Sequence, residues 1–209
     1  MKNTKLLLLI GIVAFFGCDK QTNTENNETG SKLEQEHQLE MVSYADSVNR
    51  GLLEDTFKGS ARRETKENFD GTEITVNYGS PGVRGRVIWN GLVSYDQVWV
   101  AGSHWATAVT FSDAVTIQGV EVPAGTYGFF AIPGKETWTL ILNREYDMHL
   151  AEGYDEANDV VRVDAVPEES EIPTQRLTYS LEQAEDGRVN LVLSWEKISV
   201  VMPIVLVQS

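Results

Sequence analysis

Beyond Lys58, apolar and polar side chains alternate with a period of two, and residues typical of turns recur every few positions. One face of such a segment is formed by Ile74, Val76 and Tyr78, and the turn Asp70–Gly71 precedes it. A period of two places successive side chains on opposite faces of a strand, so the pattern indicates strands with one buried face. This part of the chain is therefore expected to fold as β-structure.

More strands of this kind are predicted at residues 115–122, 126–132, 138–142, 160–166, 177–181, 189–195 and 199–207. The first of these segments contains Gln118–Gly119 between two short apolar runs, which is typical of a tight hairpin. Segment 126–132 is apolar on both faces and is expected to be buried on both. Parallel strands need crossovers of a dozen or more residues, which these short connections do not provide. We therefore predict an all-β fold, an antiparallel β-sandwich of about 9–11 strands, with a closed barrel as the alternative.

Helical periodicity is weak and occurs in two places. Residues 33–53 have a ragged apolar pattern that predicts a partly helical N-terminal extension, and residues 146–158 show a fainter one. The β-sandwich domain itself is expected to span residues 44–209. A domain of this length buries roughly 68–70% of the surface of its unfolded chain, so packing alone can stabilise it.

The first eighteen residues have the layout of a secretory signal. Lys2 and Lys5 form a basic head, Leu6–Val13 is an apolar run, and Gly17 stands directly before Cys18. The apolar run is shorter than the roughly 20 residues that cross a bilayer, and no second cysteine exists to form a disulfide. The arrangement resembles a bacterial lipoprotein signal. That resemblance implies a signal peptide at residues 1–17 and attachment of acyl chains, palmitate among them, at Cys18.

The residues that follow the cysteine are polar and offer little to bury. Residues 18–43 are therefore interpreted as a lipidated N-terminus and flexible tether. The chain carries a formal charge of −14, and loss of residues 1–17 removes Lys2 and Lys5 and makes it more negative by two. Because nucleic-acid binding depends on neutralising phosphates, this balance argues against a nucleic-acid partner.

A specific series of short motifs connects the strands. It consists of Tyr78–Trp89, Gly91–Val93, Val98–Trp99, Gly102, Ala106–Thr107, Pro123–Tyr127, Ile132–Gly134 and Trp138. In this order the motifs resemble a bacterial lipoprotein family designated domain of unknown function 2911. The resemblance implies a β-rich domain, lipid-anchored in the cell envelope of Bacteroidota-type bacteria, expected at the outer membrane on either its periplasmic or its surface face.

One motif departs from that family. Many members have Trp–Arg–x–Gly–x–Asn–Glu–Ala–Thr where this chain has Trp99–Val100–Ala101–Gly102–Ser103–His104–Trp105–Ala106–Thr107. The arginine, asparagine and glutamate of that version are absent, so a site built on them does not transfer. The chain most resembles a branch that has histidine at both the His104 and His149 positions.

Two of the three histidines are candidate ligands. His104 lies where a loop enters a strand, and His149 lies in a Tyr/Asp-rich excursion between strands, whereas His37 lies in the tether. Loops at the ends of a rigid β scaffold often carry function, so we expect His104 and His149 to meet there. Two neutral imidazoles can bind zinc or copper, with a carboxylate or water completing the coordination sphere. The alternative is that each imidazole is simply hydrogen-bonded or exposed.

Two further groups of residues are candidates for binding. Arg84 and Arg86 are predicted to share one face of a strand and to hold a carboxylate or phosphate, unless they form ion pairs with local acids. Aromatic residues are dense between Tyr78 and Trp105, including Trp89 and Trp99. Such residues suit an exposed groove for a sugar or peptide, or they pack in the core of the sandwich.

The sequence contains no signature of nucleophilic hydrolysis. It has no G-x-S-x-G motif, and Cys18 is the only cysteine. The first interpretation is therefore a membrane-tethered, non-enzymatic domain that binds a small molecule, a glycan or an envelope protein. The alternatives are a metal-assisted envelope hydrolase that uses His104 and His149, and a purely structural envelope component.

Overall fold

A computed structural model describes residues 43–207 of the chain. The signal segment, Cys18, His37 and the tether up to residue 42 lie outside the described residues, so what the sequence indicates about them remains a prediction. No helix in the described range is long and apolar enough to span a membrane.

Within residues 43–207 the chain forms ten strands, which agrees with the predicted number. They are β1 (Ala61–Phe69), β2 (Thr72–Ser80), β3 (Thr107–Phe111), β4 (Val115–Ile117), β5 (Val120–Val122), β6 (Gly125–Ile132), β7 (Trp138–Asn143), β8 (Asp159–Ala165), β9 (Glu168–Gln183) and β10 (Val189–Leu206). A short 3-10 helix, Glu156–Asn158, precedes β8. It is all that the structure shows of the faint helical pattern at residues 146–158.

The strands form two antiparallel sheets. The larger sheet has the order β1-β2-β3-β6-β7-β8, and the smaller has the order β5-β4-β10-β9. This confirms the antiparallel sandwich over the closed barrel. The strands predicted at residues 189–195 and 199–207 are one strand, because the left-handed Glu196 (φ +55°) and adjacent register shifts keep β10 continuous through a bulge.

The core lies between the sheets and follows the predicted alternation. Along β10, Val189, Leu191, Leu193 and Trp195 all face inward and are buried, as predicted. The turns also agree: Gln118 and Gly119 both have positive φ, as a two-residue hairpin turn of this kind requires. Strand β6 is buried on both faces along its centre, which confirms the prediction for segment 126–132.

The outer face of the larger sheet carries a second, smaller core. Phe130 of β6 and Ile141 of β7 point away from the main core and pack with Val100 and Ala106. Partly buried side chains from residues 148–154 cover them, among them Met148 and Tyr154. The two irregular segments that carry the candidate histidines are thus held against the sheet by apolar contacts.

A helix covers residues 43–49 and confirms that the N-terminal extension is partly helical. Its side chains dock on the sandwich through polar contacts. Asn49 donates a hydrogen bond to the Arg176 carbonyl (3.1 Å) and accepts one from the Arg176 N–H (2.7 Å). Asp46 forms an ion pair with the buried Arg63 at 2.6 Å. These contacts join the start of the domain to β9 and β1.

Candidate functional site

Backbone pairing brings His104 and His149 together. Trp105 and His149 form an isolated antiparallel bridge between the segment before β3 and the loop after β7. The Ala106 N–H donates to the Met148 carbonyl (2.9 Å), and the Leu150 N–H donates to the His104 carbonyl (2.6 Å). Because these bonds flank the bridge, Trp105 and His149 form a non-hydrogen-bonded pair, in which side chains lie closest. This short ladder brings together two histidines that are 45 positions apart in the sequence.

The three side chains form one exposed surface, which we call the His104–His149 site and define as His104, Trp105 and His149. The imidazole centroids lie 6.4 Å apart with an angle of 31° between the rings. The Trp105 ring meets the His149 ring edge-on, with 5.6 Å between centroids. Both histidines are exposed, and Trp105 is 49% exposed despite its size. An indole and two imidazoles are therefore available to a ligand at one place.

The backbone at this site is conformationally strained. His104 and Leu150, which face each other across the bridge, have φ of +63° and +54°. Ala101, at the start of the same loop, has φ of +49°. Left-handed conformations are unfavourable for residues with a Cβ, and they persist where the surrounding structure over-determines them. Such strain is often found at binding sites.

Buried hydrogen bonds to the Ala101 carbonyl fix the loop that carries His104. The Tyr179 hydroxyl donates to the Ala101 carbonyl at 2.7 Å, and the Thr107 hydroxyl donates to the same oxygen at 3.0 Å. Complete burial raises the pKa of Tyr179 well above its usual value, so the phenol stays protonated and remains a donor. Gly79 of β2 lies so close to Ser103 that a Cβ there would stand 2.5 Å from the Ser103 carbonyl oxygen.

The loop that carries His149 has its own support at its far end. The ring of Tyr154 packs edge-on against Phe130, with 5.2 Å between centroids. Its hydroxyl donates to Asp159 at 2.7 Å, and Arg162 forms an ion pair with the same carboxylate at 2.9 Å. Burial, and secondarily the bond to Asp159, raise the pKa of Tyr154 above its usual value. The phenol therefore keeps its proton and holds the loop onto β8.

As metal ligands, His104 and His149 supply two nitrogen donors. Imidazoles that bind one zinc ion through nitrogens about 2.0–2.1 Å from the metal have centroids roughly 5–6 Å apart. The observed separation of 6.4 Å exceeds this range. Among residues 43–207, no group of three or more His, Cys, Asp or Glu side chains is arranged to hold a metal ion. A metal bound here would complete its coordination sphere with water or with a ligand from a partner.

The other predicted site residues lie elsewhere. The Tyr78 ring is fully buried against Tyr179, with 4.8 Å between centroids, so Tyr78 does not line the surface beside the histidines. The prediction that Arg84 and Arg86 alternate along a strand is wrong. Arg84 and Gly85 have φ of +50° and +69° and form a turn, so the two guanidinium groups project from a loop.

Most of the aromatic residues belong to the core. The Trp89 ring packs against Trp138 and Trp195 with centroid separations of 4.7 and 5.8 Å, and Trp99 stacks on Trp195 at 5.9 Å. The interpretation of these residues as core packing is therefore confirmed. Trp105 differs from them because half of its surface is exposed.

A buried ion pair was missed by the sequence analysis. The Arg176 side chain is 1% exposed and contacts Asp55, with 2.7 Å between its Nη2 and Oδ1. It also donates to the carbonyls of Phe57, Gly59 and Ser80. The sequence gives no signal for this ion pair, because the alternation of β9, with Leu177, Tyr179 and Leu181 on the inner face, assigns Arg176 to the opposite face. Its partner lies 121 residues away, outside the reach of any local pattern.

Comparison with known proteins gives one match. A family model described as Protein of unknown function (DUF2911) matches residues 60–204, which is more than half of the chain and nearly the whole of both sheets. No curated protein and no solved structure matches the chain.

Proposed function

The chain belongs to the family described as Protein of unknown function (DUF2911), and we propose that it is an envelope lipoprotein whose β-sandwich binds a ligand or partner at the His104–His149 site. Membership confirms the family to which the motifs pointed. The observation that carries the binding function is the exposed Trp105 beside two exposed imidazoles. The backbone that positions these side chains is strained, and buried hydrogen bonds support it.

The chemistry of the site favours a polar ligand with an apolar or planar part. An exposed indole provides a stacking surface for a sugar ring or a peptide side chain. The imidazoles beside it add hydrogen-bond donors and acceptors. A small molecule, a glycan or a segment of an envelope protein has both features.

Photo-crosslinking in cells tests the binding function directly. A photoreactive phenylalanine at position 105 is expected to give a discrete adduct of the full-length protein, because the site is occupied in the envelope. The matched control is the same photoreactive residue at Ile172, which is 77% exposed on β9. Equal labelling at both positions, or no adduct at position 105, would contradict a specific site at Trp105.

The membrane anchor has a separate test. Cys18→Ala is expected to leave the precursor without lipid and to release the domain from membranes, since acyl chains on Cys18 are its proposed attachment. Metabolic labelling with a fatty-acid analogue, followed by membrane fractionation, measures both effects. Equal incorporation of the analogue by wild type and variant would show that Cys18 is not the acylated residue.

The second candidate function is a metal-assisted hydrolase, and the meeting of two exposed imidazoles at one backbone bridge is the observation that favours it. A catalytic zinc site uses three protein ligands plus water, so His104 and His149 would need a third protein donor, supplied by a partner. In that role the metal supplies Lewis-acid chemistry, and the two imidazoles position it. Trp105 would shield one side of the site from water.

Titration with Cu²⁺ tests whether the pair binds metal. We expect stoichiometric binding that quenches indole fluorescence, because Trp105 contacts His149. Changing even an outer-shell partner of a metal ligand costs about 10–100-fold in affinity, so His104→Ala and His149→Ala should each cost at least about tenfold. His37→Ala, which changes the third histidine, serves as the control. Equal affinity in all three variants would rule out this metal site.

A further inference from the structure

A loop face beside the start of the domain concentrates basic and apolar side chains. It consists of Lys58, Arg84, Arg86, Val87 and Leu92, and we call it the entry face. Leu92 is 50% exposed, and Val87 reaches 75%. All three basic side chains are exposed as well.

Contacts make these residues one surface. Arg84 donates a hydrogen bond to the Lys58 carbonyl at 3.2 Å, which joins the loop after β2 to the segment before β1. The Leu92 N–H donates to the Val87 carbonyl at 3.0 Å, which brings the two apolar side chains onto one loop. Arg86 separates Val87 from the turn at Arg84 and Gly85.

The positive charge of the entry face is not neutralised locally. Arg84 and Arg86 donate to backbone carbonyls, and neither they nor Lys58 form an ion pair with a carboxylate of the described residues. Among the other basic residues of the described range, Arg63, Lys66, Arg162, Arg176 and Arg188 pair with acids, whereas Arg50, Arg62, Lys135, Arg144 and Lys197 do not. In a chain of formal charge −14, a face that keeps three cations free is complementary to an anionic surface.

The chain also enters the domain beside this face. The Tyr44 hydroxyl, one residue from the start of the described helix, accepts hydrogen bonds from the N–H groups of Thr56 (2.8 Å) and Phe57 (3.0 Å). Phe57 directly precedes Lys58. Residues 18–42, which lead to the proposed lipid anchor, therefore join the domain next to the entry face. A chain of that length spans at most about 80–90 Å, which limits how far the domain can lie from the bilayer that holds Cys18.

We propose that the entry face rests on the anionic surface of the membrane in which the chain is anchored, with Lys58, Arg84 and Arg86 against lipid phosphates and Val87 and Leu92 among the headgroups. This inference rests on the lipoprotein function proposed above. Clustered cations beside exposed apolar side chains are the chemistry of interfacial membrane contact. A weak contact suffices, because anchoring converts docking into an intramolecular step at high effective concentration.

The test uses the mature, lipidated chain on vesicles that contain phosphatidylglycerol and phosphatidylethanolamine. Since Cys18 is the only cysteine and carries the lipid, Val87→Cys supplies a single thiol for a nitroxide label. We expect the label at position 87 to be shielded from a water-soluble nickel chelate. A label at Ile172→Cys, on β9, should remain accessible. Replacing the lipids with phosphatidylcholine should abolish the shielding at position 87.

Charge reversal provides the matched comparison. Each basic residue near an anionic surface strengthens binding by about fivefold, so Arg84→Glu with Arg86→Glu should lower the docked-to-free ratio by about 25-fold or more. Arg144→Glu with Lys197→Glu makes the same change in net charge at two other exposed positions and should leave docking intact. Equal loss in both pairs would overturn the proposal, because net repulsion would then explain it.

Flotation with the vesicles separates this proposal from the anchor. If the chain floats but the label at position 87 is as accessible as that at position 172, the docked orientation is wrong and the anchor stands. If the chain does not float, the lipoprotein function fails, and the docking that depends on it fails too.

Discussion

Replacing Arg176 with alanine is expected to lower the free energy of unfolding by about 3–5 kcal/mol. The substitution leaves the Asp55 carboxylate buried without its counter-charge, since the Arg176 Nη2 lies 2.7 Å from it. It also leaves the carbonyl of the buried Ser80 without the donor that Arg176 now provides. Unpaired buried polar groups carry their full desolvation cost.

Urea unfolding of the unlipidated mature chain measures this loss, and an exposed ion pair provides the control. Lys66 pairs with Glu73 at 2.8 Å, but about half of each side chain is exposed. Lys66→Ala should therefore cost about 1 kcal/mol or less. A comparable loss in the two variants would mean that the buried cluster contributes no more than a surface pair.

Arg176→Lys separates charge from geometry. Lysine keeps the positive charge but has no planar fork of donors, whereas Arg176 binds Asp55 through both Nε and Nη2. Most of the stability loss should therefore persist in the lysine variant. Full recovery with lysine would show that charge alone accounts for the effect.

The parts of the fold that the sequence predicted correctly are those governed by local rules. Gln118–Gly119 gave the hairpin because few residue types suit two consecutive positive φ angles. The alternation along β10 correctly predicted which side chains are buried, because successive side chains of a strand point to opposite faces. The same rule failed at Arg84 and Arg86. These residues also alternate, but Gly85 between them forms a turn with Arg84, so the segment is a loop and not a strand.

Long-range contacts were beyond the reach of the sequence. Val205 of β10 pairs with Thr116 of β4, and no local pattern indicates which strand joins which sheet. The same holds for the ion pair of Arg176 and Asp55. The meeting of His104 and His149 was expected only from the tendency of loops at the ends of strands to carry function. The two histidines are brought together by the two backbone hydrogen bonds that flank the Trp105–His149 bridge, and these bonds depend on tertiary packing.

Leu193→Ala is expected to cost about 2–5 kcal/mol, through lost transfer free energy and the cavity left behind. Leu193 is fully buried in the first half of β10, and it pairs in register with the buried Tyr179 of β9, whose hydroxyl supports the loop of His104. Its neighbour Val192 points to the opposite, partly exposed face, so Val192→Ala should cost about 1 kcal/mol or less. Urea unfolding compares the two. Similar losses would place both residues in equivalent environments and would contradict the register, because a slip of one residue exchanges the two faces of a strand.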